Sequence, residues 1–171
     1  MRLAPISVDQ LSALPVIYQA TIPPEFEDRN GHMNVRRYLQ IYDDAGDALY
    51  PRLGLTPEYL TANGKGGFDL EHHLWYVSEV LIGETISVRM RFVSRNEKLL
   101  HYLMFLVNET RGIVSSVFEC IHAHADLTVR RTAPFPAFAV ARIDAILAEH
   151  ERLSWTAPTS GAMAIQRART T

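Results

Sequence analysis

Residues 27–39 read EDRNGHMNVRRYL, and the two halves of this stretch obey different local rules. The first half closes a polar, turn-rich segment, PPEFEDRNGHMN over residues 23–34, whose Pro, Asn, Asp and Gly content predicts a loop. The second half opens a helix. Asn34 is a candidate N-cap, after which Tyr38, Tyr42, Ala45, Leu49 and Leu53 recur at spacings of three and four, with Arg37, Gln40, Asp44 and Asp47 on the opposite side. Gly54 supplies the expected stop, and the small residues Ala45, Gly46 and Ala48 predict a sheet packed closely against this helix.

Working outward, VIYQATI at 16–22 predicts one strand before the loop. A short helix around Pro57 to Thr61 and a Gly-rich turn, NGKGG, follow the long helix. From Gly67 to Leu127 the period changes to two. Phe68, Leu70, Leu74 and Tyr76 share one side of a strand, and Ile86, Val88, Met90 and Phe92 alternate with polar residues in the next. Leu99 to Val107 is apolar on both faces, as a central strand requires, and Ile113 to Leu127 is a long final strand. Short connections predict antiparallel neighbours. An amphipathic helix over 140–153 closes a single domain spanning residues 1–155, and the aperiodic stretch 156–171 is expected to be a flexible tail. One strand, a long helix and four antiparallel strands make an α+β domain.

Composition excludes several classes of function. The 171 residues suit one domain, and 47% hydrophobic against 21% charged residues is enough for a buried core. With 17 Lys and Arg against 19 Asp and Glu, the net charge of -2 offers no positive field for a nucleic-acid backbone. Cys120, the lone cysteine, forms no internal disulfide, and seven scattered histidines make no zinc framework. No metal is therefore expected, and the setting is expected to be cytoplasmic. The first residues are broken by Pro5, Asp9 and Pro15 before a signal-length apolar run accumulates, and no membrane-spanning run occurs.

The chemistry is expected at the loop–helix junction. Unpaired amides at a helix N-terminus point outward, and the helix dipole adds about half a positive charge there. An oxyanion is stabilised at such a spot, and Gly31 lets the chain turn so that Asp28 comes alongside. A carboxylate beside an oxyanion site is a minimal acyl-transfer apparatus. Local physics leaves a second reading of each residue: Asp28 as a partner of the dipole, Asn34 as a plain cap, His32 as a hydrogen-bonded loop residue.

The element order and the segment DRNGHMNxxxYL resemble the hotdog-fold acyl-CoA thioesterases of the 4-hydroxybenzoyl-CoA thioesterase group, over roughly residues 16 to 130. Asp28, Gly31, His32 and Asn34 carry the likeness. NGHMN with RYLQ, an acidic helix and Glu71 with His73 resembles most the branch that contains betainyl-CoA thioesterases. The resemblance implies a hotdog sheet around the central helix and a homodimer or dimer of dimers with active sites between subunits. It further implies an acyl-CoA substrate and Asp28 as the acting carboxylate, with no cofactor beyond the coenzyme A of the substrate. It places the carbonyl-polarising amide at or near Val35, which stands where a second Asn is common.

Further candidates are less local. Asp69, Glu71 and His73 alternate onto one strand face, either as a solvated surface or as a polar wall in which Glu71 or His73 orients water or substrate. His122 and His124 read as ordinary sheet residues. Arg89, Arg91, Arg130 and Arg131 are cations for coenzyme A phosphates or simply solubilising. Tyr38, Tyr42, Trp75 and Tyr76 are core or interface aromatics, whose faces also suit a quaternary ammonium acyl group. Two competing functions are a hotdog hydratase, which needs a His that the central helix lacks, and a non-catalytic acyl-CoA sensor.

Overall fold

The computed structural model describes residues 3–165. In chain order these form α1 (Val8–Leu11), β1 (Val16–Thr21), a 3-10 turn (Pro24–Phe26), α2 (Val35–Asp47), α3 (Leu49–Arg52) and α4 (Pro57–Asn63). Then follow β2 (Lys65–Tyr76), β3 (Thr85–Arg95), β4 (Leu99–Asn108), β5 (Ile113–Asp126), β6 (Arg131–Thr132) and α5 (Ala137–Glu151). The strands are ordered β1-β3-β4-β5-β2, with β6 paired to β5, so β1 and β2 are the edges. The chain divides into two compact units whose residues interleave in sequence.

Of the described residues, the first unit comprises 3–49, 74–91 and 104–118. Here β1 pairs antiparallel with β3, Thr21 opposite Thr85 and Ala20 opposite Ile86. The apolar stripe of α2 buries Tyr38, Ile41, Tyr42 and Ala45. Each large side chain so buried contributes about 1.5–3 kcal/mol. Tyr42 stacks on Phe118 with ring centroids 5.0 Å apart, and its hydroxyl shares a 2.6 Å hydrogen bond with Ser116 Oγ, which satisfies the polar tip inside the core. A side chain at Gly46 would meet Met104 Cε at 3.9 Å, the close helix–sheet approach that the small residues predict.

Of the described residues, the second unit comprises 50–73, 92–103 and 119–165. Its core contains Leu100, Leu103, Cys120, Ile121 and Ala123, together with Ala139 and Ile143 of α5. His150 near the end of α5 accepts the Phe92 amide on Nδ1 at 2.9 Å. Residues 156–160 carry no regular structure, yet Ser160 is buried and its amide donates to Glu119 Oε2 at 2.7 Å. Part of the expected flexible tail is thus fastened to the core, while residues 166–171 lie outside the described residues.

Three local expectations change. The long helix ends at Asp47, capped by Ala48, and resumes as α3, because Pro51 has no amide to continue the ladder back to Asp47. In NGKGG only Gly64 is a turn residue, left-handed at φ 59°, and the strand begins at Lys65. Gly66 and Gly67 belong to β2 because neighbours occupy the space of a side chain: a Cβ on Gly67 would lie 1.8 Å from the Tyr50 hydroxyl. Finally, Phe68, Leu70 and Tyr76 are exposed rather than core-facing, because β2 is an edge. Among the described residues no helix is long and apolar enough to cross a membrane.

Candidate active site

The Asp28 turn is a small closed structure in the first unit. The Asp28 amide donates to the His32 carbonyl at 3.0 Å, the Gly31 amide donates to the Asp28 carbonyl at 3.0 Å, and Glu27 bridges Met33. Gly31 adopts φ 79°, a left-handed conformation, with nothing within 4 Å of a would-be side chain. Its role is therefore backbone geometry, not space. The Asp28 carboxylate accepts the Asn30 amide at 2.8 Å and lies 3.5 Å from His32 Nδ1, with 16% of its side chain exposed.

The helix follows without a gap. The Asn34 amide donates to the Phe26 carbonyl at 2.8 Å, and Asn34 Oδ1 accepts the Arg36 amide at 3.1 Å, so Asn34 caps α2. Val35 is the first helical residue and is exposed. Its amide belongs to the first-turn group that has no intrahelical acceptor. Arg37 lies over the Phe26 ring, 4.4 Å from its centroid, and donates to Gln40 Oε1 at 2.6 Å, which ties the 3-10 turn to α2.

Tyr38 is buried, with its ring edge-on to Tyr76 at 5.1 Å. Burial raises its hydroxyl pKa, partly offset by a hydrogen bond from the Val80 backbone. Tyr76 is half exposed and, with Trp75, lines a cleft of about 700 Å³. Val77, Ile113 and Val114 and the N-terminal segment from Leu3 supply its other walls. Among the described residues, no charged side chain lines it.

Other candidates are distributed differently. Glu71 is exposed and His73 half-buried, both on the part of β2 that belongs to the second unit. Arg89 is committed internally, donating to the Leu11 carbonyl at 3.2 Å and to Glu109 Oε1 at 3.3 Å, and Arg91 is buried. Arg130 and Arg131 are exposed. Sequence reading missed one constellation in the second unit: His122 Nδ1 lies 2.7 Å from Asp69 Oδ1 and Nε2 lies 3.1 Å from the Tyr50 hydroxyl. Burial opposes ionisation of Asp69, but the His122 hydrogen bond and charge outweigh it and lower its pKa. Alternation places Asp69 and His122 on strand faces but not opposite each other, so the sequence carries no signal for the pair. Among the described residues, no group of three or more His, Cys, Asp or Glu is arranged to hold a metal ion.

Residues 22–143 match the model of the thioesterase-like superfamily. Betainyl-CoA thioesterase of Pseudomonas aeruginosa is 32% identical over 143 residues, covering 84% of this chain and 90% of that protein. The chain belongs to the thioesterase-like superfamily. It is accordingly a thioester hydrolase. A bifunctional L-carnitine dehydrogenase/betainyl-CoA thioesterase of Rhizobium meliloti is 29% identical over 126 residues, which span 74% of this chain and 25% of that larger protein. The superfamily fold is shared with a Staphylococcus aureus protein solved in complex with CoA, at TM-score 0.79 and 24% identity over 90% of this chain and 97% of that one. A 1,4-dihydroxy-2-naphthoyl-CoA thioesterase from Synechocystis has TM-score 0.66 and 12% identity over 74% and 93% of the two chains. The α+β architecture is the hotdog fold: a curled antiparallel sheet with its helix.

Proposed function

We propose that this thioesterase hydrolyses a small acyl-CoA, with Asp28 as the acting carboxylate and the amide at Val35 as the oxyanion donor. The observation that carries the reading is the placement of a partly exposed Asp28 carboxylate in a closed turn directly ahead of the capped α2 N-terminus. The thioester carbonyl oxygen gains charge in the transition state, and first-turn amides with the helix dipole favour that charge. Asp28 either attacks the carbonyl carbon, expelling the CoA thiolate and leaving a mixed anhydride for water to open, or removes a proton from an attacking water. Both routes end in free acid and CoA. In this reading His32, 3.5 Å from the carboxylate, orients it.

The acyl group proposed is betaine. The named relatives act on betainyl-CoA, and the trimethylammonium head of that acyl group suits a cleft walled by the aromatic faces of Trp75 and Tyr76. Coenzyme A enters as part of the substrate, and no separate cofactor is proposed. The active assembly is a homodimer or a dimer of dimers, which covers the exposed apolar side chains of edge strand β2. The reaction is proposed to occur in the cytoplasm. A panel of acyl-CoA thioesters, followed by release of free thiol, tests the reading: hydrolysis of betainyl-CoA supports it. Stoichiometric binding of acyl-CoA without turnover would assign a sensor instead.

A further inference from the structure

The loop joining β2 to β3 contributes no group to the proposed chemistry, yet both halves of the proposed site hang on it. Val80, at its centre, is fully buried. Its carbonyl accepts the amide of Met33 at 2.8 Å, and Met33 closes the Asp28 turn through its bridge to Glu27. The Val80 backbone also hydrogen-bonds the hydroxyl of Tyr38, one turn into α2. A single residue therefore anchors both the turn that carries Asp28 and the helix whose first amide is at Val35.

What holds Val80 is a carboxylate. Glu84 Oε2 accepts the Leu81 amide at 2.7 Å and Asn108 Nδ2 at 2.7 Å. Arg111 donates from Nε to Oε1 at 2.9 Å and from Nη2 to Oε2 at 3.2 Å. The same Nη2 donates to the Glu79 carbonyl. The neighbours of Val80 on both sides, residues 79 and 81, are thus fixed by one ion pair. Every polar group around Glu84 in this set is a donor, so an acceptor-only carboxylate satisfies all of them, whereas an amide would set a donor against donors.

We propose that Glu84, paired with Arg111, is a positioning residue for hydrolysis, holding the Asp28 turn against the start of α2 through Val80. The inference rests on the reading of Asp28 as the acting carboxylate. Misplacement of a reacting group by about 1 Å costs up to ~100-fold in rate, so the effect should appear in kcat and not in substrate affinity.

The test is a cycle of Glu84→Gln, Asp28→Asn and the double variant, assayed on the acyl-CoA that the wild type hydrolyses. Glu84→Gln should lower kcat by ~10- to 100-fold with KM within about threefold of wild type. In the Asp28→Asn background the same change should remove no more than about twofold from the residual rate, since a residue acting through Asp28 has nothing left to position. Full kcat in Glu84→Gln, or an equal loss in both backgrounds, overturns the proposal. Turnover surviving Asp28→Asn overturns the Asp28 reading itself and this inference with it, whereas loss in Asp28→Asn beside full kcat in Glu84→Gln overturns the inference alone. If Glu84→Gln does not fold, Arg111→Lys decides: it keeps the cation beside Glu84 but shortens the reach to the Glu79 carbonyl. It should lower kcat about fivefold or more at unchanged KM, and an unchanged kcat overturns the proposal.

Discussion

The Asp28 carboxylate stands 3.5 Å from Nδ1 of His32 and accepts the Asn30 amide at 2.8 Å, within a turn closed by the bond from the Asp28 amide to the His32 carbonyl. Asp28→Asn keeps the shape of this side chain but removes its charge. Hydrolysis should fall at least about a thousandfold, the scale on which loss of a nucleophile or base is felt, while the unfolding temperature stays close to wild type. Steady-state thiol release together with a thermal melt measures both, and unchanged turnover would remove Asp28 from the mechanism.

Asn34→Ala tests the cap by itself. Losing the bond to the Arg36 amide should cost about 1 kcal/mol of stability in denaturant unfolding. If kcat falls by more than that destabilisation accounts for while the protein remains folded, the cap also sets the orientation of the Val35 amide. Wild-type kcat leaves Asn34 with a structural role.

The cleft predicts a preference. A desolvated cation–π contact is worth about 2 kcal/mol, so one aromatic face over the trimethylammonium group gives roughly thirtyfold higher kcat/KM for betainyl-CoA than for a neutral acyl-CoA of equal size. Trp75→Leu or Tyr76→Leu should erase that ratio and leave the neutral substrate nearly unaffected. A proportional loss on both substrates would make these rings structural.

Edge strand β2 presents Phe68 at 66% exposure and Leu70 at 49%, values that solvent tolerates poorly along an open sheet edge. Light scattering should therefore return a particle of at least twice 19.3 kDa at micromolar concentration. Phe68→Lys should shift it toward the monomer. A stable monomer of the unmodified chain would discard the shared active site.

His124 gives a pH dependence. Burial lowers its pKa from the ordinary 6.5, and it stacks on Phe135 with centroids 5.1 Å apart. The unfolded chain takes up a proton as pH falls below about 6.5 while the folded chain resists, so more protons bind the unfolded state and stability declines across that window. Below the folded value both states are protonated and the contribution stays lost. Unfolding midpoints measured at pH 7.5 and pH 5.5 should differ less in His124→Gln than in wild type, and equal slopes would exclude His124 as a source.

The loop, the cap and the helix around Asp28 were legible because each rests on contacts within a few residues. Turn chemistry at Gly31, the Asn34 side chain reaching the Arg36 amide, and the buried stripe Tyr38, Tyr42 and Ala45 are all encoded by spacing along the chain. Alternation marked β3, and an apolar run on both faces marked β4, which is buried from Leu100 to Asn108 as a central strand is.

Strand β2 shows where that logic stops. Its alternation is genuine, yet burial depends on what lies beside a strand, and only the order β1-β3-β4-β5-β2 reveals that β2 is an edge with Phe68 and Leu70 exposed. The same limit hid the pairing of Asp69 with His122 and the closure of Gly67 against Tyr50, partners 53 and 17 positions apart in the chain. Glu84 and Arg111, 27 positions apart, likewise meet around Val80 only in the fold. Local sequence determines how a segment turns, caps and alternates, because those energies act over three or four residues. Which segments become neighbours is settled by the packing of the whole sheet, and with it which charges are paired, buried or left for chemistry.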